Sequence, residues 1–264
     1  MTRIELVRAP NPGPYTGPGT NSYVIESQGE ALVLDPGPII ESHLEAIRVA
    51  LTSLTPVGVV VTHTHPDHAP AANGLGLELD VPVFGFSAGD GFEPTDKLAD
   101  GSPILFGGDR LTTVHTPGHT ADHVCFRLGE YLFTGDHIMG GSTVIIEDAA
   151  AYMASLEKVA SLNPSRLYPG HGPELPEAGA VIAEYIAHRL EREQQVLAAL
   201  RSGAVNIGDI VDEVYAGLDP SLRMAATLQV HTQLIKLRDE GWVVLGEGGV
   251  HGATKVQLVE RPWV

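Results

Sequence analysis

Short apolar runs separated by turn residues fill the chain from about residue 20 to about residue 170. Runs of roughly four to eight residues bounded by Gly, Pro, Asn or Asp are typical of strands that bury at least one face. Seven runs fit this description and predict strands: YVIE (23–26), ALVLD (31–35), VGVVV (57–61), PVFGF (82–86), LTTVH (111–115), HVCFRL (123–128) and YLFTG (131–135).

Two segments among these strands carry apolar residues at helical spacing instead. They are ESHLEAIRVALTSL (41–54), which opens with an acidic turn, and DAAAYMASLEKVASL (148–162), in which Asp148 is a candidate N-cap. Strands in two groups, accompanied by a few helices, predict an α/β fold of layered sheets covered by helices.

The pattern changes after Pro176, where residues 175–203 predict a long helix that ends at a glycine. Residues 206–218 and 219–241 predict two further helices, and residues 242–259 predict a two-stranded ribbon with a Gly-rich turn. Helix, helix and ribbon in this order are typical of a winged helix.

We therefore predict two modules, a catalytic domain over residues 1–179 and a winged-helix-like domain over residues 180–264. The boundary lies inside or at the start of the long helix, so we expect a rigid connection. The sequence shows neither an internal repeat nor a low-complexity linker.

Composition and charge narrow the function classes. The 43% hydrophobic content of the 264 residues is that of a globular protein, and the net charge of −17 disfavours a broad basic surface for nucleic acid. The single cysteine, Cys125, excludes a disulfide framework and a cysteine-based zinc site. The N-terminus lacks a signal-peptide pattern and no apolar run approaches membrane-spanning length, so we expect a cytoplasmic protein that does not associate with membranes.

The stretch VVVTHTHPDHAP (59–70) concentrates three histidines and an aspartate at the end of a predicted buried strand. Extended geometry points His63 and His65 to the same side, and Pro66 favours a change of direction before Asp67 and His68. A single histidine is usually a surface or hydrogen-bonded residue, but a buried cluster of this density would cost stability without an ion. The stretch therefore predicts ligands for two metal ions.

Three further candidate ligands follow strands or Pro-Gly turns downstream: His119 in HTPGHT, Asp136 in FTGDHI and His171 in YPGHG. A glycine beside each of them lets the backbone bring the side chain toward a common point. Imidazole and carboxylate ligands without thiolates favour Zn²⁺, with Fe²⁺ or Mn²⁺ also possible. Five histidines and two aspartates suffice for two ions if one carboxylate bridges them.

The H-x-H-x-D-H motif resembles that of the metallo-β-lactamase superfamily. The resemblance implies an αββα sandwich, followed here by the small winged-helix domain, with metals at one edge of the sheets. It also implies His63, His65 and His119 on one metal, Asp67, His68 and His171 on the other, and Asp136 as the bridge. Asp67 is implied to be catalytic as well, because its free oxygen can orient a hydroxide that bridges the metals.

Segments along nearly the whole chain are similar to one branch, the lactamase-β-like endoribonucleases with a C-terminal winged helix. They include NPGPYTGPGTNSYVI, TPGHTADHVCF and YIAHRLEREQQVL. This resemblance implies cleavage of single-stranded RNA, whereas the acidity of the chain argues against tight RNA binding. The alternative is a thioester or ester hydrolase of the glyoxalase II type, which shares the same seven ligands, and a two-iron redox protein is a third hypothesis.

Residues outside the ligand set predict how substrate is held. His188 and Arg189 on the long helix are expected to bind an anionic group, and Tyr15 is expected to line the pocket. The partner is then a small anionic substrate or single-stranded RNA. Arg223, Lys236 and Arg238 offer nucleic-acid contacts; the alternative is that the winged helix packs on the catalytic domain or on a second subunit in a homodimer.

Several polar residues near the motif are expected to hold the imidazoles in place. Asp35, Thr62 and Thr64 are candidates for this role, although each is equally suited to capping a turn. His123 and His137 adjoin ligand positions and are expected to support them. The isolated histidines His43, His115, His231 and His251 are expected to lie outside the site.

Overall fold

A computed structural model describes residues 2–89, 91–140 and 144–259. Its first sheet has six strands, in which β1, β2 and β3 are antiparallel neighbours and β3 to β6 are parallel. The strands are β1 (Arg3–Arg8), β2 (Asn21–Ser27), β3 (Glu30–Leu34), β4 (Thr55–Val60), β5 (Val83–Gly85) and β6 (Asp96–Lys97).

The second sheet has five strands in the order β11-β10-β9-β8-β7, antiparallel except for the parallel pair β10 and β11. The strands are β7 (Pro103–Phe106), β8 (Asp109–His115), β9 (Val124–Leu128), β10 (Tyr131–Gly135) and β11 (Arg166–Pro169). All seven predicted strands are confirmed. Sequence analysis missed β1, β6, β7 and β11, of which three have at most four residues and are too short for a clear alternation.

Four helices pack on the outer faces of the two sheets, and the last of them extends beyond the sandwich. They are α1 (Glu41–Ala50), α2 (Ala72–Leu79), α3 (Ala149–Ser161) and α4 (Ala178–Ser202). The predicted helices at α1, α3 and α4 are confirmed, and Asp148 caps α3 by accepting from the amide of Ala151. Sequence analysis missed α2, whose eight residues include two glycines.

Strand alternation divides the apolar residues into layers. On β3, Leu32 and Leu34 face the core between the sheets, where they join Phe126 and Phe133 of the second sheet. Val33, on the other face of β3, packs in the core beneath α1 and α2. A third apolar core lies between the second sheet and the helices α3 and α4. The result is the predicted αββα sandwich, and the single cysteine is a buried residue of that third core.

The C-terminal part has its own apolar core, built from α5 (Ile207–Val214), α6 (Arg223–Asp239) and the end of α4. The antiparallel ribbon of β12 (Val243–Leu245) and β13 (Val256–Leu258) closes it. This is the predicted winged helix. The last five residues of the predicted second module, 260–264, lie outside the described residues.

Helix α4 contributes to two cores. Ala178 and Ile182 near its start pack against α3, whereas Val196 and Leu200 near its end belong to the winged-helix core. The predicted boundary near residue 180 therefore falls where α4 begins. Among the helices that the structure describes, none is long and apolar enough to cross a membrane.

Candidate metal centre

Seven side chains converge at one edge of the sandwich in two groups. His63, His65, His119 and Asp136 form the first group, and Asp67, His68 and His171 form the second. Within each group, one ligand atom per residue lies within 4.8 Å of all the others. The structure therefore brings together the seven residues that the sequence predicted as ligands, and it places Asp136 with the three histidines of the first group.

The first group brings three ring nitrogens together. His119 Nε2 lies 3.0 Å from His65 Nδ1 and 3.3 Å from His63 Nε2. His63 and His65 reach the same point because they are two residues apart in extended backbone after β4.

The second group forms on the turn that follows. The amide of His68 donates to the carbonyl of His65 at 3.0 Å, so the chain reverses around Pro66, as predicted. His68 Nε2 then lies 3.3 Å from His171 Nε2, and Asp67 Oδ2 lies 3.1 Å from the same His171 nitrogen.

Asp136 faces both groups with different oxygens. Its Oδ1 lies 3.3 Å from His171 Nε2 and 3.4 Å from His68 Nε2, while its Oδ2 lies 3.6 Å from His119 Nε2. Oδ1 is buried and has no hydrogen-bond partner among the residues that the structure describes. The carboxylate of Asp136 therefore faces both ligand groups.

The ring nitrogens that face away from the centre explain why a cation fits here. His68 Nδ1 lies 3.0 Å from Asp35 Oδ2, His119 Nδ1 lies 2.7 Å from the carbonyl of Ile145, and His171 Nδ1 lies 3.3 Å from the carbonyl of Gly19. Because each of these partners only accepts, each Nδ1 donates to its partner, and each Nε2 faces the centre, where it can give a lone pair to an ion once any proton on it is released. Lone pairs and carboxylates facing one point are stabilised by a divalent cation, so the donor set fits two metal ions.

Asp35 anchors both groups. Besides His68 Nδ1, its carboxylate accepts from the amide and the hydroxyl of Thr62, each at 2.7 Å. The Thr62 hydroxyl lies 3.0 Å from His63 Nδ1. Asp35 holds this position with a φ of 48°, a left-handed conformation that Asp tolerates better than most residues. Asp35 and Thr62 thus contact the imidazoles that they were predicted to hold. The side chain of Thr64 instead lies against Gly89.

His123 supports Asp136 from beneath. Its Nε2 accepts the backbone amide of Asp136 at 3.1 Å, and its Nδ1 lies 2.9 Å from the hydroxyl of Thr116. Burial, with the neighbouring His119, lowers the pKa of His123 and keeps the ring neutral. His137 is also buried; neither of its ring nitrogens meets a hydrogen-bond partner in the described part of the chain, and burial lowers its pKa to about 3.

Charge differs between the two groups. Burial lowers the pKa of His63 and of His119 in the first group. Burial also lowers the pKa of His171, but its contacts with the carboxylates of Asp136 and Asp67 outweigh this and raise it to about 9. The second group therefore holds a proton near neutral pH where a metal ion would otherwise bind.

Three buried polar residues that sequence analysis did not single out shape the His171 loop. Asn21 Nδ2 donates to the carbonyls of Pro169 and Gly172, each at 2.9 Å, and the Tyr23 hydroxyl donates to Pro169 at 2.7 Å. The Thr20 hydroxyl donates to Asp67 Oδ2 at 3.1 Å. Gly170 completes the loop, since a Cβ there would lie 2.7 Å from Asp136 Oδ1. Thr20, Asn21 and Tyr23 lie in the segment TNSYVI, whose pattern predicts a strand but does not indicate these contacts.

A cavity of about 600 Å³ opens from the metal centre toward the winged helix. Tyr15, His188 and Arg189, the residues predicted to bind substrate, all line it. Arg189 is 7% exposed; one of its nitrogens donates to the carbonyl of Val144 at 2.6 Å and its guanidinium lies over the Tyr152 ring. Arg192, which sequence analysis missed, lines the same cavity and lies over Tyr215.

The basic residues of the winged helix are held in ion pairs. Lys236 contacts Glu193 at 2.7 Å and Glu240 at 2.8 Å, and Arg238 contacts its neighbour Asp239 at 2.8 Å. Arg223 pairs with Asp212. Each of these three cations lies in an ion pair, and the nucleic-acid role considered for them stays a prediction. His43, His115, His231 and His251 lie outside the two groups, as expected.

Models of known families match two parts of the chain. Residues 15–171 match the metallo-β-lactamase superfamily, and residues 207–249 match the β-lactamase-associated winged-helix domain. The first match contains every candidate ligand.

Relatives match over most of their length. The chain is 34% identical over 252 residues to a β-lactamase-like protein 2 homologue of Caenorhabditis elegans, covering 91% of this chain and 85% of the relative. It is 31% identical over 226 residues to an atrochrysone carboxyl ACP thioesterase of Aspergillus chevalieri, covering 81% and 73%. A β-lactamase domain protein of Burkholderia ambifaria has the same fold, with a TM-score of 0.83 at 21% identity over 97% of this chain and 91% of that one.

Proposed function

Because this chain belongs to the metallo-β-lactamase superfamily, we propose that it is a hydrolase whose two ligand groups hold a pair of divalent ions. Imidazole and carboxylate ligands suit zinc, with Fe²⁺ or Mn²⁺ as alternatives. Asp136, facing both groups, would be the shared ligand. When bound, such ions polarise a carbonyl or phosphoryl group and lower the pKa of water.

Asp67 is the residue that we propose to act on the attacking water. Thr20 and His171 fix its Oδ2, and its Oδ1 makes no hydrogen bond to a described residue. A held carboxylate with one free oxygen can orient a water molecule and accept its proton. The neighbouring imidazoles of His68 and His171 outweigh the effect of burial and hold the pKa of Asp67 below its usual range, so this oxygen is ionised at neutral pH.

We propose that the substrate is a thioester or ester with an apolar acyl group. The observation that carries this choice is the wall of the cavity, to which Val144 and Ile145 contribute on the side of the sandwich and Leu218 and Leu228 on the side of the winged helix. An apolar wall stabilises an acyl chain or ring by burial but gives an RNA backbone nothing to contact. The thioesterase among the relatives supports the same choice.

One end of this cavity is basic, and we propose that it binds an anionic group of the substrate. His188, Arg189 and Arg192 lie on successive turns of α4 and line it. Neither arginine lies in an ion pair with a carboxylate of a described residue, in a chain with 33 acidic residues. Tyr15 would close the opposite side of the opening.

Cleavage of single-stranded RNA is the second candidate. The same two arginines and His188 can bind a phosphate, and two divalent metal ions can promote attack at phosphorus. The net charge of −17 and the paired cations of the winged helix count against it.

A parallel assay separates the two candidates. Zinc-loaded protein is tested on benzoyl and hexanoyl thioesters of N-acetylcysteamine, S-lactoylglutathione, bis-p-nitrophenyl phosphate and single-stranded RNA, before and after removal of metal with a chelator. We expect metal-dependent turnover of the apolar thioesters above all others. Metal-dependent RNA cleavage without thioester turnover would establish the second candidate instead.

A further inference from the structure

The backbone of residues 144–147 runs between the metal centre and the winged helix. The carbonyl of Ile145 accepts from Nδ1 of His119 at 2.7 Å, which makes this segment the support of one ligand ring. The amide of Glu147 donates to the carbonyl of Gly118 at 2.7 Å, so the segment is also tied to the backbone beside that ligand. Whatever fixes this segment therefore fixes the direction of the His119 imidazole.

Gln229 of α6 holds this segment with both ends of its amide. Its Oε1 accepts the amide of Ile146 at 3.3 Å, and its Nε2 donates to the carbonyl of Ile146 at 3.1 Å. The side chain is 8% exposed, so water competes weakly for these bonds. A glutamine that pairs with both polar atoms of one residue restrains its backbone as a neighbouring strand would.

Peptide planarity transmits this restraint to the metal ligand. The N–H of Ile146 and the C=O of Ile145 belong to the same peptide group, whose atoms lie in one plane with the two bonds pointing in opposite directions. Gln229 Oε1 fixes the N–H, and the C=O is thereby aimed at His119. Arg189 of α4 fixes the preceding carbonyl, that of Val144, at 2.6 Å.

We propose that Gln229 is a positioning residue for the first metal site, so that the winged helix is part of the metal centre as well as a wall of the substrate cavity. Without α6, the Ile145 carbonyl is free to turn and His119 loses its fixed orientation. The proposal rests on the proposed function only in that metal ions bind at the two ligand groups.

The test compares two buried glutamines one helical turn apart. In Gln229→Leu the side chain keeps its approximate size and loses both hydrogen bonds to Ile146. Gln233→Leu is the matched control, because Gln233 is 4% exposed on the same helix and its Oε1 makes no hydrogen bond to any described residue. Gln229→Asn, whose amide is one methylene too short to reach both atoms, serves as a second variant that keeps a polar side chain.

Cobalt(II) titration followed by visible absorption measures the two binding steps. Loss of an outer partner of a ligand weakens metal binding about 10- to 100-fold. We expect a loss of this size in one step only for Gln229→Leu and Gln229→Asn, and none for Gln233→Leu. In proton NMR spectra of the cobalt-loaded protein, one exchangeable imidazole N–H signal should shift or broaden in the Gln229 variants alone.

Unchanged binding and unchanged imidazole signals in either folded Gln229 variant would overturn the proposal. A wild-type protein that binds no metal would instead overturn the proposed function, so the two failures are distinguishable. A purely structural role of Gln229 would lower the melting temperature and leave both the binding step and the imidazole signal unchanged.

Discussion

The two sides of the cavity are built in different ways. On the sandwich side, seven side chains point to one place, and their rings are held by hydrogen bonds to Asp35, Ile145 and Gly19. On the winged-helix side, Leu218, Leu228 and their neighbours contribute apolar surface. The first side is specified by hydrogen-bond directions, and the second, apart from Gln229, by shape.

This difference indicates which changes the protein tolerates. A ligand shifted by about 1 Å loses its ion or its reactivity, because metal and catalytic geometry must be held within about half an ångström. An apolar wall accepts a different side chain of similar volume at small cost. We therefore expect the chemistry to fail abruptly on the sandwich side, and substrate choice to change gradually on the winged-helix side.

The largest effect is expected from Asp67→Ala. Removal of both a ligand and the proposed proton acceptor should lower hydrolysis by more than the roughly 100-fold that loss of an outer partner costs. Metal-free circular dichroism should stay close to wild type, because the side chain is 24% exposed and belongs to none of the four apolar cores. Unchanged activity would end the two-metal mechanism.

Metal binding at the second group should depend on pH more steeply than binding at the first. With a pKa of about 9, His171 must release its proton when an ion binds between pH 7 and pH 9. Affinity for that ion should then rise at least about 10-fold per pH unit over this window, because at His68 in the same group the effect of burial is outweighed by the neighbouring carboxylates, which raise its pKa as well. Burial lowers the pKa of His63 and His119, so the first step should change little. Calorimetric titration at several pH values measures both binding steps. An equal pH dependence of the two affinities would contradict the predicted difference between the two groups.

The same pKa predicts the stability of the metal-free protein. Since the pKa of His171 is raised on folding, protonation stabilises the fold fully below about pH 6.5, and this contribution is lost as the pH rises through 9. Metal-free protein should therefore melt at a lower temperature at pH 9 than at pH 6.5. Asp67→Asn, which removes a carboxylate beside His171, should reduce the difference.

Asp35→Asn tests whether the outer hydrogen bonds matter as much as proposed. The asparagine amide can accept from only part of the donor set formed by Thr62 and His68, so metal affinity should fall about 10- to 100-fold. The matched control is Asp80→Asn, because Asp80 also has a positive φ, of 55°, but lies at the end of α2. Competition with a chromogenic chelator gives both affinities. Equal values for the two variants would show that Asp35 only shapes a turn.

The smallest effect is expected from the apolar wall. Leu218→Ala should lower kcat/KM for a hexanoyl thioester about 10-fold and leave an acetyl thioester nearly unchanged, because only the longer chain reaches this surface. Leu105→Ala, at an exposed position of β7, is the control. A uniform loss on both substrates would mean that the winged-helix wall acts on the chemistry itself.

The sequence predicted the ligands because they lie in local patterns: a motif after a buried strand, and single residues beside glycines at Pro-Gly turns or strand ends. It did not predict Asn21, which reaches the His171 loop across 148 residues, or Gln229, which reaches Ile146 across 83. Neither glutamine nor asparagine carries a spacing that distinguishes such a contact from a surface position. Arg192 was missed for the same reason, since its place in the cavity depends on how α4 packs.

Helix α4 has a consequence for how the protein unfolds. Its 25 residues span about 37 Å, and its two ends are buried in two different cores. Loss of either core frays the helix that the other core needs, so the sandwich and the winged helix should melt in one cooperative transition rather than two. A protease that cuts the middle of α4 would therefore destroy a single folding unit instead of releasing two stable fragments.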